Sequence, residues 1–140
     1  MTNTSSKSVK ASSDKKAVHY RKQAAVKFLQ LVVEGRIEEA YRNYVDLRGK
    51  HHNPFFPAGF PALQKAMTED HVQFPSKKLT VKNVLGDGDM VAVHSHIVMR
   101  AGESGMAVVH LFRFHDDKII EMWDCAQPVP AASPNKDGAF

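Results

Sequence analysis

Cysteine and long apolar runs are nearly absent from this sequence. The 140 residues include a single cysteine, Cys125, so an intramolecular disulfide is excluded and a reducing, cytoplasmic compartment is expected. No apolar run approaches the roughly 20 residues that a membrane-spanning helix needs. The first 16 residues also lack the apolar segment of a secretory signal. These absences favour a cytoplasmic protein with no membrane partner.

Positive charge is present, but not in the distribution typical of nucleic-acid-binding proteins. The formal net charge is +4 at pH 7. Residues 1–16 contribute +3 of it, because they hold four lysines and one aspartate, and the other 124 residues therefore carry only +1. That part of the sequence shows no basic stripe with interleaved aromatic residues. We therefore do not expect a nucleic-acid partner.

The length and composition indicate one domain between two tails. A chain with 43% hydrophobic and 24% charged residues over this length fits a single domain. Residues 1–16, rich in serine and lysine, are expected to be disordered. Residues 131–140 are expected to form an extended tail on the surface of this subunit or of a partner. The domain itself is assigned to residues 17–130.

Apolar periodicity predicts helices in the first half of this domain and strands in the second. Helical spacing is found in residues 17–34, 36–47 and about 60–70, and Gly35 follows the first segment as a stop signal. Alternating residues predict a short strand near 71–74 and then about four long antiparallel strands. The expected fold class is α+β, with three N-terminal helices covering one face of the sheet.

Along three of the predicted strands, ionisable side chains occupy the same alternating positions as apolar ones. Side chains two apart lie on one face of a sheet. The sets are Met90, Ala92, His94, His96 and Val98; Met106, Val108, His110, Phe112 and Phe114; and Ile120, Met122, Asp124 and Ala126. An apolar face that carries a few titratable groups is typical of a ligand pocket or an active site.

Three segments together resemble the SnoaL-like polyketide cyclases, within the superfamily of nuclear transport factor two and ketosteroid isomerase. They are HHNPFFPAG at 51–59, GDGDMVAVHSH at 86–96 and VVHLFRFHDDKIIEMWDCAQPVP at 108–130. The resemblance spans about residues 18–130. It implies a cone-shaped α+β barrel, in which a strongly curved, mostly antiparallel sheet surrounds an apolar pocket closed by the helices. It also implies a homodimer.

The resemblance assigns roles to particular residues. In the cyclases an aspartate on the last strand acts as acid and base and a histidine on the preceding strand assists, which implies Asp124 and His110 here. It also implies that Asn53 and His52 face the substrate. The pocket is expected to be lined by the substrate-binding residues His52, Asn53, Phe56, His94, His96, Phe112 and Met122.

The chemistry expected of this pocket is an aldol-type condensation or cyclisation without cofactor. A carboxylate takes a proton next to a carbonyl and returns it later, while a histidine orients it or donates to the oxygen. The substrate is expected to be a small hydrophobic, carbonyl-containing compound. Two alternatives remain open. Asp124 and His110 form a buried pair that only satisfies its own hydrogen bonds, or the domain is a non-catalytic module that binds a ligand or a protein.

Two further hypotheses concern metal and assembly. The spacing of Gly88, His94 and His96 opens a cupin metal motif, but the glutamate that should follow is replaced by Arg100 or Ala101, so we expect no metal unless these histidines converge with His110. A homodimer is also expected from an outward apolar face, to which we assign Val91, Val93, Ile97, Leu111 and Trp123.

Overall fold

Three helices cover one face of a five-stranded sheet in the computed structural model, which describes residues 4–140. The elements are α1 (Thr4–Val33), α2 (Ile37–Tyr44), β1 (Val45–His51), α3 (Phe60–Gln73), β2 (Lys78–Asp87), β3 (Met90–Val98), β4 (Met106–His115) and β5 (Lys118–Pro128). The strand order is β1-β5-β4-β3-β2. β1 and β5 pair in parallel, and the pairs β5–β4, β4–β3 and β3–β2 are antiparallel. The predicted α+β fold is confirmed, as an open cone and not a closed barrel.

The helices pack on the sheet through a cluster of aromatic side chains. The ring of Phe28 in α1 meets the rings of Tyr41 and Phe112 edge-to-face, with centroids 5.4 and 5.9 Å apart. Phe60 of α3 meets Tyr41 in the same way at 6.2 Å. All four side chains are at most 1% exposed. Edge-to-face pairs stabilise beyond the area that they bury, so this cluster fixes the helices relative to the sheet.

Glycine at position 49 allows α3 to approach β1 closely. A Cβ atom there would lie 2.7 Å from Cε2 of Phe60 and would also collide with the backbone oxygen of Ile120. β1 is the edge strand next to β5, and it leads directly into the loop of residues 52–59. The close approach therefore packs the start of α3 against this edge of the sheet, beside the loop.

The two faces of β3 are the reverse of the sequence-based assignment. Val91, Val93 and Ser95 are at most 1% exposed and point toward the helices. His94 and His96 therefore point outward. Alternation separates a strand into two sets of side chains but does not say which set the helices cover. Here the bulky valines are buried in preference to the set that carries the histidines.

Other predicted elements also needed correction. Residues 71–74 do not form a strand, since α3 continues to Gln73. The second helix ends at Tyr44, and residues 45–47 open strand β1, which the sequence reading missed. Residues 4–16 are helical and not disordered, because no proline or glycine interrupts α1 and its exposed first half holds residues that a helix tolerates. Residues 1–3 of the expected tail lie outside the described residues. Residues 129–140 contain neither helix nor strand.

Candidate functional site

A cavity of about 430 Å³ lies between the helices and the inner face of the sheet. Most of its wall is apolar, with side chains from α1, α3 and β2–β5 that include Leu29, Leu63, Met67, Ile97, Met106 and Val108. Its polar lining residues are Asn53, Asp70, Lys77, His110 and Asp124. An apolar cavity of this size with a few polar groups is typical of a small-molecule site. A wider groove along α1, lined by residues such as Gln23 and Val26, is open to solvent and lies apart from these groups.

Strand register places Asp124 beside His110. The two residues are direct cross-strand partners in β4 and β5, and His110 in turn pairs with Val93 of β3. Partners across a ladder point to the same face, and Val93 is fully buried, so Asp124 and His110 both face the helices. The predicted juxtaposition of this pair is therefore seen in the structure.

The carboxylate of Asp124 is held by the loop after β1. Asn53 Nδ2 donates a hydrogen bond to Asp124 Oδ2 at 3.0 Å, and Asn53 Oδ1 accepts one from the backbone N–H of Phe55, also at 3.0 Å. The amide of Asn53 is thus fixed at both ends. Among the described residues, Asn53 and not His110 is the hydrogen-bond partner of Asp124.

His51, the last residue of β1, holds this loop through two hydrogen bonds. Its Nε2 lies 2.8 Å from the carbonyl oxygen of Pro57, and its Nδ1 accepts a hydrogen bond from the backbone N–H of Asn53 at 3.1 Å. A carbonyl can only accept, so the proton of the neutral ring sits on Nε2. His51 is 8% exposed. Of the adjacent histidines it is His51, and not the predicted His52, that points into the protein.

His110 is a neutral imidazole in this environment. Burial lowers its pKa to about 4, and the negative charge of Asp124 opposes part of that shift. Its Nδ1 is buried without a hydrogen-bond partner in the described part of the chain. A neutral histidine offers one N–H donor and one acceptor, so His110 can donate to a ligand oxygen without first being ionised.

His52 belongs to a polar cluster on the outer face of the sheet. Its ring stacks on Trp123 with centroids 5.0 Å apart, and its Nε2 lies 2.7 Å from Oε2 of Glu121. That hydrogen bond, with the nearby Lys50 and Arg113, lowers the pKa of Glu121. Arg113 Nε donates to Glu121 Oε1 at 3.3 Å. His52 thus lies outside the cavity, and its assignment to the substrate site was wrong.

The predicted pocket histidines of β3 also lie outside the cavity. His94 Nδ1 is 3.1 Å from Nδ2 of Asn83, and His96 Nε2 donates to the carbonyl oxygen of Ser104 at 2.7 Å. Both rings pack against Phe140. Because His110 faces the opposite side of the sheet, the three histidines do not converge. Within residues 4–140, no group of three or more His, Cys, Asp or Glu side chains is placed to hold a metal ion.

The remaining predicted ligand contacts divide into two groups. Phe56 lines the cavity, as does Asn53. Phe112 and Met122 are 0% and 3% exposed and belong to the core beneath the cavity, where they support its floor without lining it. Their parity was read correctly, but both are buried in the core, where the ring of Phe112 packs against Phe28 of α1.

Sequence reasoning missed two ionic residues of the cavity wall, Asp70 and Lys77. Lys77 Nζ forms an ion pair with a carboxylate oxygen of Asp70. The signal was helical spacing, since Leu63, Met67 and Asp70 repeat at intervals of four and three on one face of α3. Asp70 continues the apolar face formed by Leu63 and Met67, so helical spacing alone would have predicted that it points into the cavity.

Solved structures with this architecture are found in several bacteria. A candidate ketosteroid isomerase from Kribbella flavida aligns with a TM-score of 0.66 at 18% identity, over 86% of this chain and 87% of its own. A SnoaL-like protein of unknown function from Burkholderia thailandensis aligns with a TM-score of 0.65 at 13% identity, over 78% and 95%. AclR from Streptomyces galilaeus, a candidate hydroxylase, gives 0.66 at 19% identity, over 79% and 81%. At these identities the likeness concerns the fold alone.

Sequence comparison is more specific. No curated protein matches the sequence. The described helices include none that is both long and apolar enough to span a membrane. The family model for the SnoaL-like domain matches residues 25–122, which is more than half of the chain and includes most of the cavity wall described above. This chain belongs to the SnoaL-like domain family.

Proposed function

We propose that this protein is a cofactor-free enzyme that removes a proton from the carbon next to a carbonyl group in a small hydrophobic substrate. Asp124 is the base and later the acid, and His110 donates a hydrogen bond to the carbonyl oxygen. The subsequent step is an aldol-type ring closure or condensation. The observation that carries this proposal is the fixed carboxylate of Asp124 on the wall of an apolar cavity, with a neutral histidine as its cross-strand partner.

The arrangement supplies both halves of an enolisation. Asp124 Oδ2 is occupied by Asn53, which leaves Oδ1 to take the proton. The electron pair of the broken C–H bond moves to the carbonyl oxygen, where an N–H of His110 stabilises the developing charge. The enolate carbon then attacks a second carbonyl, and the new alkoxide receives the proton back from Asp124. The carboxylate is restored, and no electron acceptor or metal takes part.

The apolar wall contributes to this chemistry. Excluding water strengthens the attraction between the developing oxyanion and the His110 N–H, because fewer solvent dipoles compete. The same wall selects substrates by hydrophobic contact, with Leu63, Met67 and Ile97 among the lining side chains.

Hydrogen exchange at carbon tests the proposal before the natural substrate is identified. The probe is 4-acetylbiphenyl in deuterated buffer, and the rate at which its methyl protons exchange is followed by NMR. We expect the protein to accelerate this exchange over buffer, and Asp124→Asn to lower the acceleration by about 10²–10⁴-fold, the usual worth of a positioned base. Asp116→Asn, in the exposed β4–β5 turn, is the matched control and should keep the full rate.

Binding of the probe distinguishes the proposal from its alternative. If 4-acetylbiphenyl binds to wild type and to Asp124→Asn with equal affinity, while neither protein accelerates exchange, the domain is a non-catalytic ligand-binding module. If Asp124→Asn fails to fold, Asp124 is structural and the enzyme proposal is rejected.

A further inference from the structure

The second polar group of the cavity, formed by Asp70 and Lys77, has no part in the reaction proposed above. The Lys77 side chain is 15% exposed and that of Asp70 33% exposed. Removing an ammonium group from water is costly unless it is paired, and Asp70 provides the pair. Both side chains line the same cavity as Asp124 and the neutral His110.

The position of Asp70 in α3 gives no benefit to the helix. It lies in the last turn, four residues before Phe74, whose N–H donates to the Asp70 carbonyl oxygen at 2.8 Å. The C-terminus of a helix carries partial negative charge, so a carboxylate there is unfavourable. Asp70 is therefore held at this position by Lys77, not by the helix.

The two polar groups lie toward opposite edges of the sheet. Asp124 is in β5, next to the β1 edge, and Lys77 directly precedes β2, the other edge. Three inter-strand steps separate β5 from β2, about 14 Å on a flat sheet, which curvature shortens. Lys77 shares parity with Leu79, which pairs with Ile97, and Ile97 pairs with Met106. The wall between the polar groups is thus apolar.

Charge determines which chemical group fits beside this pair. Asp70 and Lys77 neutralise each other, and Asp124 adds a negative charge to the same cavity, so a carboxylate ligand would meet more repulsion than attraction. A hydroxyl group instead complements both partners. Its oxygen accepts from a free N–H of the Lys77 ammonium, which has three donors, and its proton is donated to the Asp70 carboxylate.

We propose that Asp70 and Lys77 form a specificity subsite for an uncharged hydroxyl group at the end of the substrate remote from the reacting carbonyl. The substrate is then an elongated apolar molecule with a carbonyl at one end and an alcohol or phenol at the other. This inference rests on the proposed function for the orientation of the carbonyl, but its test measures binding alone.

The test uses three probes that differ only at the remote end. Their affinities are measured by calorimetry at neutral pH for 4-acetyl-4′-hydroxybiphenyl, 4-acetylbiphenyl and 4-acetyl-4′-methoxybiphenyl. We expect the hydroxyl compound to bind wild type roughly tenfold more tightly than the unsubstituted one, the worth of about one net hydrogen bond of 1.4 kcal/mol. The methoxy compound, which cannot donate a hydrogen bond to Asp70, should bind only slightly more tightly than the unsubstituted one.

The variants identify the residues responsible. The double substitution Asp70→Asn with Lys77→Met removes both charges together and should reduce the hydroxyl advantage to less than about twofold. Lys65→Met, on the exposed side of α3, is the matched control and should preserve it. Thermal unfolding of each variant establishes that it is folded. If the double variant does not fold, the separate variants Lys77→Gln and Asp70→Asn are measured in its place.

The outcomes separate this inference from the proposed function. A hydroxyl advantage that persists in Asp124→Asn but disappears when the pair is removed supports the subsite, even if no variant catalyses exchange. The subsite is rejected if the three probes bind wild type equally, if none of them binds, or if the advantage survives removal of the pair. In the last case Asp70 and Lys77 only join α3 to β2.

Discussion

Asn53 and Asp124, 71 positions apart in the sequence, are joined by a hydrogen bond of 3.0 Å from the side-chain amide to the carboxylate. This bond connects the loop after β1 to the last strand, which are neighbours only because β1 pairs in parallel with β5. It occupies one carboxylate oxygen and orients the other. Asn53 is therefore a positioning residue for the proposed base.

Removing the side chain of Asn53 should weaken proton abstraction without removing the base. Hydrogen bonds to charged groups contribute about 1.5–3 kcal/mol, so we expect Asn53→Ala to lower the exchange rate of 4-acetylbiphenyl by roughly 10–100-fold. The effect should fall on the rate more than on the affinity of the probe. Asn135→Ala, in the C-terminal segment, serves as the control. A rate unchanged in Asn53→Ala would show that Asp124 needs no such support.

The buried neutral state of His110 should make stability depend on pH. Its pKa is about 4 in the folded protein and about 6.5 in the unfolded chain, so the unfolded chain binds more protons between these values. The contribution of His110 to the free energy of unfolding is therefore complete above about pH 6.5. It is lost as the pH is lowered toward 4, by up to about 3 kcal/mol. Urea denaturation at several pH values measures this loss.

Variants assign that loss to His110. The difference in stability between wild type and His110→Gln should shift in favour of the variant as the pH is lowered, since glutamine does not titrate. His115→Gln, which is exposed at the β4–β5 turn, should follow the wild-type curve. Asp124→Asn should lower the pKa of His110 further, because the charge of Asp124 raises it, and NMR titration of the ring protons detects this. Parallel curves for His110→Gln and wild type would contradict the assignment.

The pairing of Asp124 with His110 could be predicted from sequence only in part. The turn at Asp116 and Asp117 is readable, and both residues have positive φ, as a two-residue hairpin loop requires. Counting from that turn alone, however, would place Asp124 opposite Val109 and on the wrong face. A β-bulge between Arg113 and Phe114 shifts the register by one and restores the His110 pairing. A sequence does not reveal such a bulge. Alternation beyond it put Met122 and Asp124 on the face of His110, but it also put Ile120 there, whereas Ile119 pairs with Phe114 and is the buried residue.

The errors at β1 and β3 have a different cause. Residues Val45, Leu47 and Gly49 alternate with Asp46, Arg48 and Lys50, so the strand signal was present, but it continued a helical stripe and was absorbed into it. In β3 both sets of side chains contain apolar residues, and only the helices decide which one is buried. The distinction between His51 and His52 is equally non-local, because it depends on the carbonyl of Pro57 and the carboxylate of Glu121.

Substituting Gly49 should damage the site through the fold. In Gly49→Ala the new Cβ would collide with the backbone of Ile120 and the ring of Phe60, so either β1 must leave β5 or α3 must move away. Over-packing of this kind costs about 1–3 kcal/mol, and thermal unfolding should show it. Gly102→Ala is the control for space, since its Cβ would meet nothing within 4 Å, although its positive φ adds some strain. A Gly49→Ala variant as stable as wild type would mean that the β1–α3 approach is not tight in solution.

The outer face of the sheet is the expected dimer interface, with a different composition from the one first assigned. Val91 and Val93 are in the core and Ile97 lines the cavity, so these three residues are no longer part of it. A row of apolar side chains instead crosses four strands in register, since Leu85 pairs with Ala92, Ala92 with Leu111, and Leu111 with Trp123. Leu85 is 69% exposed, and such a continuous row is unusual on the free surface of a monomer.

Light scattering coupled to gel filtration tests that interface. We expect wild type at micromolar concentration to show twice the 15.6 kDa mass of one chain, and Leu111→Asp to shift the protein to monomer, because a buried unpaired carboxylate is costly at an interface. Val72→Asp, at an exposed apolar position on α3, should leave the mass unchanged. Since Leu111 faces away from the cavity, Leu111→Asp should still bind 4-acetylbiphenyl. A monomeric wild type, or a Leu111→Asp dimer, would show that copies of the chain do not associate through this row.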